Sequence, residues 1–151
     1  ANQSLYASLG IQQTNWRVFE DGTVDASGGF MQTPREMLKF GILFLNGGEW
    51  DGHQIISSDW VEASTVPWGG NTNISVPGED GGRKGYGYTW WTDTLWHDGQ
   101  QIDLYFAGGW GGQKIIVIPD LDMVVVFTGG NYTSVNKNFT ILEKYILPSI
   151  E

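Results

Sequence analysis

The chain has 151 residues, of which 17 are acidic and 8 basic, and its formal charge of −9 would repel phosphate backbones and anionic lipid surfaces. The absence of cysteine excludes disulfides, thiolate zinc sites and a cysteine nucleophile. An apolar content of 40% predicts one domain or one lobe of a larger domain, and no apolar run reaches the roughly 18 residues that a bilayer span needs.

The first strong structural signal is a helix start at Pro34. The segment Thr33-Pro34-Arg35-Glu36 is a capping box with proline at the first helical position. Apolar residues then recur at helical spacing, and Gly47-Gly48 supplies a left-handed stop. We therefore expect a helix over residues 34–46.

A second helix and a long loop follow. Ser57 or Ser58 can cap a helix that carries Trp60, Val61 and Ala63. Residues 66–84 contain two prolines and several glycines, which interrupt both helices and strands. This segment is predicted to be a loop.

From residue 86 the pattern changes to strands rich in aromatic and β-branched residues. Turn signals separate them at Asp98-Gly99, in the glycine cluster 108–112 and at Pro119-Asp120. Such short connections favour an antiparallel meander. The predicted strands are Tyr86 to Leu95, Gln101 to Ala107, Gln113 to Ile118 and Met123 to Thr128.

The last two strands are apolar on both faces, so each face of the sheet should be covered. One cover is a terminal helix over residues 135–147, capped by Ser134. Residues 30–65 could supply part of the other cover, and the weak periodicity of the first 30 residues indicates a missing neighbour. The expected apolar stripe of the terminal helix comprises Val135, Phe139, Leu142, Tyr145 and Ile146.

Six strings stand in order along the chain: Gly28-Gly29-Phe30-Met31-Gln32-Thr33-Pro34-Arg35-Glu36-Met37-Leu38-Lys39-Phe40-Gly41, Leu45-Asn46-Gly47-Gly48, Gln54-Ile55-Ile56-Ser57, Tyr86-Gly87-Tyr88-Thr89-Trp90-Trp91, Ala107-Gly108-Gly109-Trp110-Gly111-Gly112-Gln113 and Ile118-Pro119-Asp120. With these strings the chain resembles the serine beta-lactamase-like hydrolases. The narrower likeness is to class C beta-lactamases, D-aminopeptidases, family VIII esterases and nylon-oligomer hydrolases.

The resemblance implies an α+β fold, in which an antiparallel sheet is flanked by helices, with a mostly helical lobe alongside. This chain would be the C-terminal part of the beta-lactamase/transpeptidase-like fold. Residues 1–84 would form part of the helical lobe and its connecting loops. Residues 85–151 would hold the strands and the C-terminal helix, and the N-terminal part of the full domain would be absent.

The resemblance also implies an acyl-serine mechanism, with a serine in Ser-x-x-Lys and a tyrosine in Tyr-x-Asn. A third motif maps onto Ala107-Gly108-Gly109, with the backbone N–H of Trp110 as the oxyanion donor and that of Gly109 as the second candidate. Ala107 lacks the polar side chain usual at this place, which favours ester or peptide chemistry over beta-lactam turnover. The alternative reading of these residues is a glycine-rich hairpin turn.

The attacking residues themselves are not evident. Tyr-x-Asn does not occur, and Ser-x-x-Lys occurs once, as Ser134-Val135-Asn136-Lys137, after the third motif instead of before it. We interpret Ser134 as a helix cap and expect the catalytic serine, lysine and tyrosine upstream of Ala1, which leaves the isolated chain inactive. His53 and His97 are interpreted as solvated turn residues, which argues against a zinc site. The resemblance implies no metal or organic cofactor.

The tryptophans allow two interpretations. Trp90, Trp91, Trp96 and Trp110 could form the floor of an aromatic substrate cleft, or they could serve core and edge packing. We assign the first three to packing, whereas Trp110, directly after the third motif, is expected to overhang the acyl site. Two rival functions remain open, a non-catalytic relative of the same fold and an aromatic-rich carbohydrate-binding domain.

The expected partners follow from the same interpretation. They are the missing N-terminal part of the protein or a second copy of the chain, together with a small ester or amide substrate. Nucleic acid and a membrane span are not expected. A secreted or periplasmic location is suggested by the resemblance alone.

Overall fold

A computed structural model describes residues 5–12 and 15–150. Its dominant feature is a five-stranded antiparallel sheet in the second half of the chain, with strand order β5-β6-β7-β8-β9. The predicted meander is therefore confirmed. Its strands are β5 (Gly85–Tyr86), β6 (Trp91–His97), β7 (Gln100–Gly108), β8 (Gln113–Ile118) and β9 (Met123–Thr128).

Two-residue strands form two small hairpins in the first half of the chain, each antiparallel. These are β1 (Asn15–Trp16) with β2 (Phe30–Met31), and β3 (Glu49–Trp50) with β4 (His53–Gln54). Trp16 stacks on Phe30 with ring centroids 4.3 Å apart, beside a cluster that includes Leu43. The hairpins thus close a small apolar core of their own.

The predicted strand Tyr86 to Leu95 is wrong as a single element. A turn at residues 87–90 divides it, where the Gly87 N–H donates to the Trp90 carbonyl at 2.8 Å. Thr89 adopts φ +70°, which a β-branched residue rarely does and which cannot belong to a strand. The divided strand places its turn at the same end of the sheet as the glycine cluster 108–112.

Helix α1 (Pro34–Leu45) begins as predicted. The Thr33 hydroxyl accepts from the Glu36 N–H at 3.3 Å, and the Glu36 carboxylate accepts from the Thr33 N–H at 2.8 Å. Within the helix, a Cβ at Gly41 would come within 2.4 Å of Val124, so glycine permits the close approach of α1 to the sheet. Helix α2 (Ser58–Ser64) has Ser57 as its cap.

Both faces of the sheet are covered, as the apolar strands predicted. On one face α1 contributes Phe44 and Leu45 to a cluster with Trp90, Tyr105 and Val117. This is the second cover that residues 30–65 were expected to supply in part. The opposite face carries Leu95, Ile102, Leu104, Phe106, Ile116 and Ile118 against Phe139, Leu142 and Leu147 of the terminal helical segment.

The terminal helical segment begins later than predicted. Helix α3 (Asn138–Ile141) continues as a π-helical turn, Leu142–Ile146, and a 3₁₀ turn, Leu147–Ser149. Ser134 does not cap it, because the Ser134 hydroxyl is bonded to Asn131. The carboxylate of Asp80 instead accepts from the N–H groups of Phe139 and Thr140 at 3.2 and 2.8 Å.

The predicted apolar stripe of this segment is only partly correct. Phe139 and Leu142 are buried, and Ile146 packs against the same core. Val135 and Tyr145 are exposed, because the chain at Val135 is not yet helical and the π turn rotates Tyr145 away from the sheet. Within the described residues, no helix has the length and apolar character to cross a membrane.

Two lysines lie inside the protein, each with a carboxylate partner. Lys84 and Lys114 are fully buried and pair with Asp93 and Glu79, respectively. The Lys84 ammonium also lies 4.0 Å from the centroid of the Phe139 ring. These pairs attach the loop of residues 66–84 to the sheet, which sequence analysis did not anticipate.

Candidate functional site

The third motif, Ala107-Gly108-Gly109, lies at the end of β7 and in the turn that connects β7 to β8. The Gly112 N–H donates to the Gly109 carbonyl at 3.1 Å and closes a four-residue β-turn. The Gly109 N–H donates to the Gln113 carbonyl at 2.9 Å, and the Gly111 N–H to Gln113 Oε1 at 3.2 Å. Among the described residues, the Trp110 N–H has no acceptor.

This pattern separates the two candidate donors. The Gly109 N–H is already bonded within the hairpin, so it cannot readily serve a ligand. The Trp110 N–H is a backbone donor at the second position of a surface turn, with its hydrogen-bonding capacity unused. Trp110 is therefore the better candidate of the two.

The three residues of the motif do not share one environment. The side chain of Ala107 packs against the Trp90 and Tyr105 cluster on the α1 face of the sheet. Gly108 belongs to the opposite face, where a Cβ would lie 3.4 Å from the Lys114 ammonium. Pairing of β7 with β6 stops at Phe106, so the backbone of the motif continues past the partner strand.

A groove of about 310 Å³ borders the end of β7. Gly108, Gly109 and Trp110 all line it, and Ala107 does not. Trp110 is 84% exposed, so its side chain does not close the groove that it lines. The remaining lining residues are Val76, Pro77, Glu79, Trp91 and Phe106.

One wall of the groove, formed by Val76, Pro77 and Glu79, was not predicted from the sequence. These residues lie in the long loop, whose glycines and prolines predict irregular structure but do not indicate which part of the sheet the loop packs against. A larger cleft of about 670 Å³ runs along β6 and β7 and contains none of residues 107–110. The smaller groove is the better candidate site, because of the two only this groove is lined by Trp110, whose N–H has no acceptor among the described residues.

The two charged side chains beside the groove, Glu79 and Lys114, form an ion pair. Glu79 Oε1 lies 2.6 Å from the Lys114 ammonium, and both side chains are almost completely buried. Tyr105 does not line the groove and lies on the α1 face of the sheet, where burial raises the pKa of its phenol to about 12, so this tyrosine stays protonated at neutral pH and is unsuited to act as a base. Within the described part of the chain, the groove offers a hydrogen-bond donor but no activated nucleophile.

The single Ser-x-x-Lys sequence does not form a nucleophile and base pair. Ser134 is exposed, and its hydroxyl exchanges hydrogen bonds with the side chain of Asn131. Lys137 is exposed at the start of α3, and no bond joins it to Ser134 in the described residues. The assignment of Ser134 as non-catalytic therefore fits the geometry, although its assignment as a helix cap is wrong.

The prediction that both histidines are solvated turn residues fits His53 but not His97. His53 Nδ1 lies 2.9 Å from the Asp51 carbonyl in an exposed turn, whereas His97 is the partly buried last residue of β6. Trp90 lies in the core, and Trp91 stacks on Phe106 while also lining the groove. No cluster of three or more histidine, aspartate or glutamate side chains suited to a metal occurs among residues 5–12 and 15–150.

Comparison with known proteins identifies the family of the chain. The family model described as beta-lactamase matches residues 2–139. The chain belongs to the beta-lactamase family. The expected serine beta-lactamase-like family and its α+β fold are thereby confirmed, and an all-β carbohydrate-binding domain is ruled out.

A solved structure of a proposed 6-aminohexanoate-dimer hydrolase from Bacillus anthracis is similar, with 30% sequence identity and a TM-score of 0.62. The similarity covers 83% of this beta-lactamase-family chain and 30% of that chain. The chain thus spans less than a third of the length of this relative. No curated protein matches the chain.

Proposed function

We propose that this chain is the C-terminal part of a serine hydrolase that cleaves an ester, amide or beta-lactam through an acyl-serine intermediate. The observation that carries the proposal is the N–H of Trp110, a residue that lines an apolar groove and whose N–H has no acceptor among the described residues. Its role would be to donate a hydrogen bond to the substrate oxygen.

The chemistry explains why one free N–H matters. When a serine hydroxyl adds to a carbonyl carbon, the carbonyl oxygen acquires negative charge in the tetrahedral intermediate. A fixed backbone donor stabilises that charge more than it stabilises the neutral carbonyl, and one such donor is worth about 3 kcal/mol. The Trp110 N–H has the freedom to make this bond, and the bonded Gly109 N–H does not.

The nucleophile and its base are proposed to lie upstream. A serine hydroxyl is a weak nucleophile until a neighbouring base takes its proton. Ser134 has no such base, and Tyr105 is unsuited to the role. The similar chain from Bacillus anthracis is more than three times as long as the matched region, which leaves room for a serine, lysine and tyrosine outside the part matched here.

The walls of the groove favour substrates with an apolar body. Val76, Pro77, Trp91 and Phe106 offer no charged group, and the nearby Glu79 is already paired with Lys114. Ala107, where the motif usually has a polar side chain, packs on the opposite face of the sheet and adds no polar group to the groove. Linear esters and amides with polymethylene chains fit this surface, and the amide named for the Bacillus anthracis relative is of that kind.

The isolated 151-residue chain is predicted to hydrolyse p-nitrophenyl butyrate and nitrocefin no faster than buffer. The serine of the single Ser-x-x-Lys sequence, Ser134, has no base within hydrogen-bond reach among the described residues. Absorbance at a fixed protein concentration measures both reactions. Labelling of Ser134 by a fluorophosphonate probe, detected by peptide mass spectrometry, would contradict the prediction.

The same assays on the protein produced from the complete reading frame test the proposed function. Hydrolysis of either substrate, abolished by alanine at the serine of an upstream Ser-x-x-Lys, is the expected result. A complete protein without that motif, or one that is inactive on a panel of esters, amides and beta-lactams, would favour the alternative of a non-catalytic relative. The departure at Ala107 is the observation that supports this alternative.

We also propose that the preceding part of the protein, or failing that a second copy of the chain, covers an apolar surface near the first hairpin. Val18, Phe19, Val24 and Met31 are each about half exposed or more. The isolated chain should therefore self-associate at high micromolar concentration, as measured by sedimentation velocity. A monomer throughout that range would count against a covering partner.

A further inference from the structure

We infer that Asn136 and Gln113 act as a clamp that fixes the peptide bond following the Trp110 N–H. This inference rests on the proposed function, since it assigns both side chains as positioning residues for the oxyanion donor. Neither is proposed to touch the substrate. Sequence analysis assigned no role to either residue.

The clamp holds both ends of one peptide unit. The Trp110 carbonyl accepts from Asn136 Nδ2 at 3.3 Å, and the Gly111 N–H donates to Gln113 Oε1 at 3.2 Å. These two groups belong to the same peptide plane, so a rotation of that plane breaks both bonds together. The preceding carbonyl, that of Gly109, is held by the Gly112 N–H. The orientation of the Trp110 N–H is thereby set from both sides.

The turn needs such a restraint because three of its four residues are glycine. Glycine has access to conformations that other residues rarely adopt, and Gly112 is in one of them, with φ +85°. Without side-chain bonds, the plane between Trp110 and Gly111 could exchange between two orientations at little cost. A donor that must stabilise a transition state has to be in place beforehand.

The same glycines leave room for the clamp. A Cβ at Gly112 would lie 2.4 Å from Asn136 Oδ1, and a Cβ at Gly111 would lie 2.7 Å from Gln113 Nε2. The amide side chains therefore pack directly against the backbone of the turn. Residues larger than glycine would displace the groups that hold the peptide.

Asn136 is itself held rigidly. It is 6% exposed, its backbone N–H donates to the Gly78 carbonyl at 3.0 Å, and its Nδ2 donates to that carbonyl at 3.3 Å. The adjacent Glu79 is paired with Lys114 of β8. Through Asn136, the turn is thus bonded to the loop that forms the opposite wall of the groove.

Gln113 is held from the other side of the turn. Its Nε2 donates to the Gly129 carbonyl at 2.6 Å and lies 3.4 Å from the Tyr132 hydroxyl. The side chain therefore connects the turn to the chain that follows β9. The two halves of the clamp reach separate elements, so each can be removed without removing the other.

NMR spectroscopy of the ¹⁵N-labelled 151-residue chain tests the clamp without any need for catalysis. Gln113→Met removes the acceptor of the Gly111 N–H, and we expect hydrogen exchange at Gly111 to be about fivefold faster, the scale of one net hydrogen bond. Gln113→Glu keeps an acceptor oxygen for the Gly111 N–H but loses the Nε2 donor to Gly129, so its exchange at Gly111 should be slower than in Gln113→Met, although faster than in the unmodified chain. Asn136→Asp replaces the donor to Trp110 by an acceptor and should broaden the Trp110 and Gly111 amide signals through exchange between two orientations.

Asn131→Asp is the matched control, because the Asn131 side chain bonds only residues 133 and 134, and the substitution keeps the backbone N–H of Asn131, which donates to the Gly111 carbonyl at 3.0 Å. It should leave both signals sharp. If Asn136→Asp does not fold, the comparison of Gln113→Met with Gln113→Glu decides the question on its own. Unchanged Gly111 exchange in Gln113→Met would overturn the inference, as would sharp Trp110 and Gly111 signals in a folded Asn136→Asp variant.

The two proposals fail in different experiments. A clamped turn in a chain whose complete protein hydrolyses no substrate would leave the clamp in place and remove the proposed function. If the complete protein is active but the isolated chain shows an unclamped turn, the proposed function stands and the clamp is contradicted.

Discussion

Replacement of Asp93 by alanine is expected to lower the free energy of unfolding by about 3–5 kcal/mol, the range for a buried ion pair that loses one partner. Lys84 is fully buried, and Asp93 is its carboxylate partner. Alanine would leave the ammonium in an apolar interior beside the Phe139 ring, without the group that compensates its charge. Urea denaturation followed by tryptophan fluorescence measures the change.

The control is Asp103→Ala on the neighbouring strand. Asp103 is exposed and accepts a hydrogen bond from the Thr94 hydroxyl at 2.7 Å, so its loss should cost no more than about 1 kcal/mol. A double variant, Lys84→Met with Asp93→Leu, should recover most of the lost stability because it removes both charges. Equal effects of Asp93→Ala and Asp103→Ala would show that the buried charge is not stabilised by its partner.

Elements with a local signal were predictable from the sequence. The capping box at Thr33 and the glycines after Leu45 define α1, because every group involved lies within a few residues of the helix end. The four longer strands follow from aromatic and β-branched runs separated by short turns. The error at residues 87–90 arose because an aromatic run continued through a turn.

Features that depend on distant residues could not be predicted. The start of α3 is determined by Asp80, which lies 59 positions before Phe139 in the chain. Ser134 has the composition of a helix cap, but its hydroxyl has a nearer partner in Asn131. The local sequence pattern cannot show whether the first N–H groups of the helix are bonded to a serine just before it or to a carboxylate from a distant loop.

The candidate site shows the same division. Gly109 and Trp110 were found because their motif is contiguous in the sequence. Glu79 and Asn136 were missed, although both meet the turn or its strand, because they come from a long loop and from the segment before α3. Lys114 was missed as well. A lysine in an apolar strand is expected to be exposed, and the sequence does not show that Glu79 pairs with it in the interior.

The position of Lys114 also bears on the departure at Ala107. A positive charge does lie beneath the motif, because the Lys114 ammonium faces Gly108 from the neighbouring strand. Lys114 is fully buried, however, and its charge is paired with that of Glu79. It therefore cannot replace a motif lysine toward a substrate carboxylate, which supports the proposal of substrates without one.

Replacement of Trp110 by proline in the complete protein is expected to lower kcat by about 100- to 1,000-fold, the effect of losing one oxyanion donor. Proline has no N–H, and Trp110 occupies the second position of a β-turn, where proline is favoured, so the turn should still form. KM should change less than kcat, because the lost bond strengthens only as charge develops on the substrate oxygen. Initial rates with a p-nitrophenyl ester measure both constants.

Trp110→Ala is the matched control for this substitution, since it removes the indole beside the groove but keeps the backbone N–H. It should raise KM through lost apolar contact and leave most of kcat intact. If alanine and proline reduce kcat equally in folded variants, the side chain and not the amide is the functional group of Trp110. If neither reduces kcat, the oxyanion is stabilised elsewhere, and the free amide of this turn is only a feature of a glycine-rich hairpin.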